Sequence, residues 1–278
     1  MCSGLRSVVA VLSSVLLLHA AATVAHARQG AAQRDIVNAS RRAASLRAGD
    51  FTTTQLQHPR VMEARLQMRF GIKRLFRERG IPYPAEQIFL RVFKRERMLE
   101  LWVRPPSADQ FVLLKQYMIC ALQGDLGPKR GQGDGQTPEG FYEIDHFNPS
   151  SVYHLSLHVN YPNSSDRVLG RADGLGGDIM IHGGCESIGC IAVTNEAIKE
   201  LYWIAVEARA AGQARIPVHI FPARLTNDEL GLLGRTFGKR PNLITFWTSL
   251  KPGFDYFERT HQIPAIRVDA QGRYSLLN

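Results

Sequence analysis

From Gln87 the chain alternates apolar and polar positions with a period of two. Ile88, Leu90 and Val92 fall opposite Phe89, Arg91 and Phe93, and Leu99, Leu101 and Val103 fall opposite Glu100, Trp102 and Arg104. A period of two is the mark of a strand, and the polar run Lys94 to Arg97 between the two segments predicts a hairpin. Further strands are predicted from Phe111 to Ala121 and from Phe141 to Ile144. Val152 to Asn160 alternates again, with Tyr153, Leu155, Leu157 and Val159 on one face and His154, Ser156 and His158 on the other, facing solvent or a cleft. Ile179, Met180 and Ile181 form a short apolar run stopped by Gly183 and Gly184, and Ile216, Val218 and Ile220 make a closing strand that ends at Pro222.

Helical spacing appears on either side of these strands. Pro59 opens a segment in which Val61, Ala64, Met68, Ile72 and Leu75 share a face, while Arg65, Arg69, Lys73 and Arg77 lie mostly elsewhere; Gly80 and Pro82 end it. A second helix is predicted from Thr194, its N-cap, through Ile198, Leu201, Ala205 and Ala208 to a stop at Gly212. Residues 225–278 change character, with Phe237, Phe246, Trp247, Phe254, Tyr256 and Phe257 interrupted by Pro241, Pro252 and Gly253. The reading is a small C-terminal subdomain that finishes in a hairpin around Asp269 to Gly272. The organisation expected is a lead-in and helix over 28–86, a main domain over 87–222 and the subdomain over 223–278.

Two irregular stretches separate the strands. GDLGPKRGQGDGQTPEGFYEI is a chain of turns in which Pro138 and Gly140 set a corner into the next strand. No Gly-Lys-Ser/Thr follows, so it is not a phosphate-cradling loop, and Lys129, Arg130 and Glu139 are expected at the surface. Tyr161 to Gly177 is expected to form a loop over a site, where Arg167 and Arg171 are candidates to pair with a substrate carboxylate.

The first 27 residues read as a secretory signal, with Arg6 in the n-region, an apolar core from Val8 to Leu18 and a small-x-small site at Ala25-His26-Ala27. Cleavage there removes one arginine and no acid, taking the formal charge from +9 to +8. A basic exported protein suits an anionic envelope polymer or lipid head group as well as it suits a plainly solvated surface. Cys120, Cys185 and Cys190 remain after processing, and an odd count in an oxidising compartment leaves at least one thiol free. If Cys120 and Cys185 pair, Cys190 is the reactive one. His182, Cys185 and Cys190 are three potential zinc ligands with no common spacing and no evident fourth, so no metal is expected.

The candidate chemistry lies in DIMIHGGCESIGCIAVT. His182 sits at a strand end and Cys190 in the turn before a helix, and a thiol needs a nearby base of the imidazole type to become a nucleophile near neutrality. Backbone N–H groups of Gly189 and Cys190 are the candidate oxyanion donors.

Ser187, Ile188, Gly189 and Cys190 resemble the Ser-x-Gly-Cys turn of the L,D-transpeptidase (YkuD-type) catalytic domain family, in which a histidine after a strand precedes the nucleophile. The TPEGFY segment, through Thr137, Pro138, Gly140 and Tyr142, is similar to the family's second motif and stands in the family's order. Two departures are plain: Ile188 stands where the common pattern has a second histidine, and the family's histidine-to-cysteine spacing is roughly twice the eight residues found here. Both resemble the YafK-like murein L,D-transpeptidase subfamily. The resemblance, over roughly residues 87–222, implies a mainly β fold with packed helices, a mostly antiparallel β-sandwich or barrel, flanked by the N-terminal helix and the C-terminal α+β subdomain. It also implies a periplasmic enzyme acting on peptidoglycan stem peptides at diaminopimelate through a Cys190 thioester. His182 would be the base, oriented by the Gly183 carbonyl, with Ser187, Arg167, Arg171 and His158 as substrate contacts. No cofactor and no nucleic-acid partner is expected. A hydrolase that frees a Braun-type outer-membrane lipoprotein from peptidoglycan and a wall-binding module without turnover are the alternatives.

Overall fold

The alternating segments join one mixed sheet of eight strands. The computed structural model describes residues 50–106 and 108–277, so the signal segment and the lead-in up to residue 49 lie outside the described residues. Strands β1 (Gln87–Phe93) and β2 (Met98–Arg104) form the predicted hairpin and β3 (Val112–Met118) extends it. The remaining strands are β4 (Gly140–Asn148), β5 (Ser156–Val159), β6 (Met180–His182), β7 (Ile191–Ala192) and β8 (Ile216–Phe221). Their order is β3-β2-β1-β8-β4-β5-β6-β7, antiparallel except at the β1–β8 and β6–β7 pairs. The sheet curls until the chain beyond β3 reaches the far edge, where Cys120 donates its backbone N–H to the carbonyl of Ala192 at 2.9 Å. The expected sandwich or barrel is a single sheet curled into a half-barrel.

Helices cover both faces of this sheet, and alternation along β1 sorts its side chains between them. On one face Ile88, Leu90 and Val92 meet Val61, Ala64 and Ile72 of α1 (Pro59–Glu78), and Ile198, Leu201 and Ala205 of a later helix, α3 (Asn195–Ala210). Thr194 caps α3 as predicted, its hydroxyl accepting the Ala197 N–H at 3.2 Å. On the other face Phe89 and Phe93 pack beneath α5 (Pro241–Thr260), against Phe257 and against Trp247 and Phe254. Each large apolar side chain so buried is worth about 1.5–3 kcal/mol. The rest of the C-terminal part is helix α4 (Asn227–Phe237) and the predicted hairpin, β9 (Ile266–Val268) with β10 (Tyr274–Leu276). No helix of the described residues is long and apolar enough to cross a membrane.

Covering the second face buries charges that the local sequence leaves exposed. Arg91 is 1% exposed, with Nη2 at 2.7 Å from Glu258 and its guanidinium 4.7 Å from the Phe257 ring centre. Lys129 and Glu139, expected at the surface, are also buried. Glu139 accepts from the Gly127 N–H at 2.8 Å and from the Trp247 indole at 2.7 Å, and pairs with Lys94 at 3.0 Å. A buried carboxylate is tolerable only with such partners, and here the partners tie the glycine-rich turns to the sheet and to α5.

Two further expectations are revised. The strand read from Val152 to Asn160 is shorter, because His154 has φ 75° and residues before it form a turn; His154 and His158 therefore do not share a strand face. The loop read from Tyr161 to Gly177 contains helix α2 (Ser164–Leu169). Asn163 and Asp166 form a capping box at its start, a local signal of helix initiation.

Candidate active site

The site is built by the register of two short strands. β6 and β7 are parallel neighbours pairing Ile181 with Ile191 and His182 with Ala192. Registered residues of a parallel pair project to the same face, and so do residues two apart along a strand. Cys190 lies just before β7, two residues ahead of Ala192, and so falls near the strand end that carries His182. Both residues line one cleft of about 550 Å³, together with Tyr153, Ser156, Lys129 and Ile188. His182 is the one histidine among the described residues lining it.

The loop from Gly183 to Cys190 must double back along the strand pair, and its sequence supports that path. Cys185 is bonded to Cys120, with Cα atoms 5.3 Å apart, which fastens the loop to the chain after β3. Cys185 is thus closed to any metal, and Cys190 is the free cysteine among the described residues. Ser187 Oγ donates to the Cys190 carbonyl at 2.7 Å and accepts the Gly189 N–H at 3.0 Å. Gly189 has φ 134°, and a Cβ there would stand 3.0 Å from the Gln136 carbonyl oxygen. Only glycine holds that conformation against the neighbouring turn without strain. The turn that carries Cys190 is thereby pressed onto the glycine-rich turns that Glu139 and Lys94 anchor.

His182 donates from Nδ1 to the Gly183 carbonyl at 2.6 Å, leaving Nε2 as the basic nitrogen. Burial lowers its pKa from the ordinary 6.5, with the Gly183 bond acting the other way. Burial also raises the Cys190 pKa; a hydrogen bond from the Met180 backbone opposes the rise, the Asp178 charge adds to it and the Lys129 ammonium opposes it more weakly. Both directions favour the neutral thiol and the neutral imidazole. Of the two candidate oxyanion donors, the Gly189 N–H is directed at Ser187 Oγ, and the Cys190 N–H has no acceptor among the described residues.

The remaining candidates are placed elsewhere. Arg167 donates to the Pro162 carbonyl at 2.7 Å, Arg171 pairs with Asp173, and His158 pairs with Asp145 at 2.6 Å; none lines the cleft. Gly176 and Gly177 are the part of that long connection that reaches it. Residues not singled out as candidates do contribute: Lys129 stands at the cleft, and Ser156, paired across strands with His182, offers a buried hydroxyl without a partner. The alternation placed Ser156 on a cleft-facing side. Nothing local distinguished Lys129.

Residues 96–220 match the family described as the L,D-transpeptidase catalytic domain, YkuD. Over 189 residues the chain is 40% identical to "Putative L,D-transpeptidase YafK" of Escherichia coli (strain K12), covering 67% of this chain and 72% of that protein. The chain therefore belongs to the L,D-transpeptidase family and is an enzyme of that family. The YafK protein of Escherichia coli O157:H7 matches to the same extent. Among solved structures, the helical cell shape determining protein Pgp2 from Campylobacter jejuni is 20% identical, covering 66% of this chain and 73% of its own, with a TM-score of 0.40. Bd1075 of Bdellovibrio bacteriovorus is 24% identical, covering 61% and 59%, with a TM-score of 0.35.

Proposed function

We propose that the protein is a periplasmic, cysteine-dependent acyl-transfer enzyme of peptidoglycan remodelling, acting on stem peptides at diaminopimelate. The observation that carries this reading is the shared cleft, lined by a free thiol and by an imidazole whose Nδ1 proton is already committed. Family membership supports a peptidoglycan substrate, and the apparent signal segment supports action outside the cytoplasm.

In this mechanism His182 Nε2 takes the Cys190 proton as Sγ attacks a carbonyl of the stem peptide. Because neither group is charged at rest, proton transfer accompanies attack. The Cys190 N–H holds the oxyanion of the tetrahedral intermediate, a donor worth about 3 kcal/mol in the transition state. Collapse breaks the C–N bond, His182 returns the proton to the leaving amine, and a thioester remains on Sγ. A second amine attacks that thioester with its proton passing to His182, the C–S bond breaks, Sγ leaves and takes that proton back, and the acyl group is transferred to the amine. Water at the same step gives hydrolysis.

Incubation with purified muropeptides and with lipoprotein-linked wall fragments, read by mass spectrometry, tests the proposal. The expected result is new cross-linked products from wild type and none from folded Cys190→Ala. Turnover surviving in Cys190→Ala refutes the thiol mechanism, while release of lipoprotein fragments without cross-linking replaces transfer by the hydrolase alternative.

A further inference from the structure

Tyr153 packs its ring on the imidazole of His182, with ring centres 4.6 Å apart and planes 29° from parallel. A strand passing through Tyr153 would not put it there. It reaches His182 from the turn of residues 151–154, which ends in the left-handed φ of 75° at His154. A side chain with a Cβ adopts that conformation where its surroundings impose it. Those surroundings include α1: Arg60 donates through Nη1 to the Ser151 carbonyl and, at 2.8 Å, to the His154 carbonyl, gripping both ends of the turn. Inside the turn the Tyr153 N–H donates to Ser151 Oγ at 3.2 Å.

We infer that α1 is part of the catalytic apparatus: Arg60 holds the 151–154 turn, and the turn holds Tyr153 as a positioning residue that fixes the plane of the His182 ring. This rests on His182 being the base proposed above. One hydrogen bond at Nδ1 sets the ring's direction and leaves it free to tilt about that bond. The stacked phenol ring removes the tilt and keeps Nε2 on the cleft. Its π face also accommodates the positive charge that develops on the imidazole as it takes the thiol proton. Tyr153 lines both the catalytic cleft and a neighbouring cavity of about 430 Å³, which Arg60 lines as well. Residues 59–78 lie outside the matched family region, and the family match assigns them no role.

The test follows alkylation of Cys190 by iodoacetamide near neutral pH in the full chain, with turnover on muropeptides measured beside it. Misplacing a catalytic base by about an ångström is enough to expect Tyr153→Ala to slow alkylation and kcat about tenfold or more. KM should change by a smaller factor than kcat, since the ring's stacking contact is to the base. Tyr153→Phe keeps the ring and is expected to restore both rates. Arg60→Ala should slow both by a smaller factor, and the Arg60→Ala/Tyr153→Ala double variant should be no slower than Tyr153→Ala alone. Variants are compared only where circular dichroism and the thermal midpoint match wild type. Losses that multiply in the double variant, or a Tyr153→Phe chain as slow as Tyr153→Ala, overturn the inference. His182→Ala separates the two readings: wild-type alkylation in that variant removes the base itself, whereas dependence on His182 without dependence on Tyr153 removes the positioning role alone.

Discussion

Cys190 Sγ lies 3.5 Å from the carbonyl oxygen of Asp178 and donates its proton there, not to His182. A thiol is a weak donor, so this hydrogen bond holds the proton only weakly. The Asp178 carbonyl can accept only from the protonated sulfur and so favours the neutral thiol.

The pH profile follows from that neutral pair. Burial holds the His182 pKa below 6.5, so the base stays unprotonated down through the range where a free histidine charges. Protonation removes the base, so kcat/KM should fall only as pH drops through a value lower than 6.5, and should be level through neutrality. A pH series of kcat/KM checks this. An acid limb above the ordinary histidine value would show instead that burial does not hold the His182 imidazole neutral.

Ser187 organises the nucleophile turn through two hydrogen bonds, to the Cys190 carbonyl and from the Gly189 N–H. Ser187→Ala should cost about 1–3 kcal/mol of stability. It should lower kcat more than it raises KM, because the oxyanion donor at Cys190 loses its orientation. Gly189→Ala should be worse, since its φ and the Gln136 carbonyl both resist a side chain. Steady-state kinetics with urea unfolding separate the two effects, and a fully active Gly189→Ala would disprove the role given to this turn.

The Cys120–Cys185 bond spans 65 residues and ties the loop of the site to the edge of the sheet. Loss of a cross-link over a loop of that size typically costs about 2–4 kcal/mol. The Cys120→Ala/Cys185→Ala chain should therefore melt at a lower temperature, and Cys190 should then be alkylated with poorer discrimination from a free thiol. Unchanged melting with and without a reductant would mean the bond is idle.

Glu139 carries three contacts in the buried anchor of the glycine-rich turns. Replacing it by alanine leaves the buried Lys94 ammonium without its counter-charge, held only by the Gly127 and Thr137 carbonyls, at a cost of about 3–5 kcal/mol. Lys94→Met alone should also destabilise, by leaving the Glu139 charge half-compensated. Thermal and denaturant unfolding of both variants measure this, and a change of under about 1 kcal/mol, as for an exposed pair, would contradict the burial seen here.

Much of this was legible in the chain itself. Period-two alternation from Gln87 and at Ile216–Phe221, the Thr194 cap, and the pairing of one histidine with one cysteine on either side of a glycine-containing loop are properties of neighbouring residues, and neighbours carry them wherever the fold puts them. Tertiary structure decided what depends on distant partners. Whether Cys190 stands beside His182 hangs on the parallel β6–β7 register, and whether Lys129, Glu139 and Arg91 are surface or core hangs on helices and turns that cover them from elsewhere in the chain. Tyr153 reads as a strand residue until Arg60, some ninety positions earlier, bends its segment into a turn. Such arrangements come from summed packing across the sheet, and no local window of sequence contains both sides of the contact.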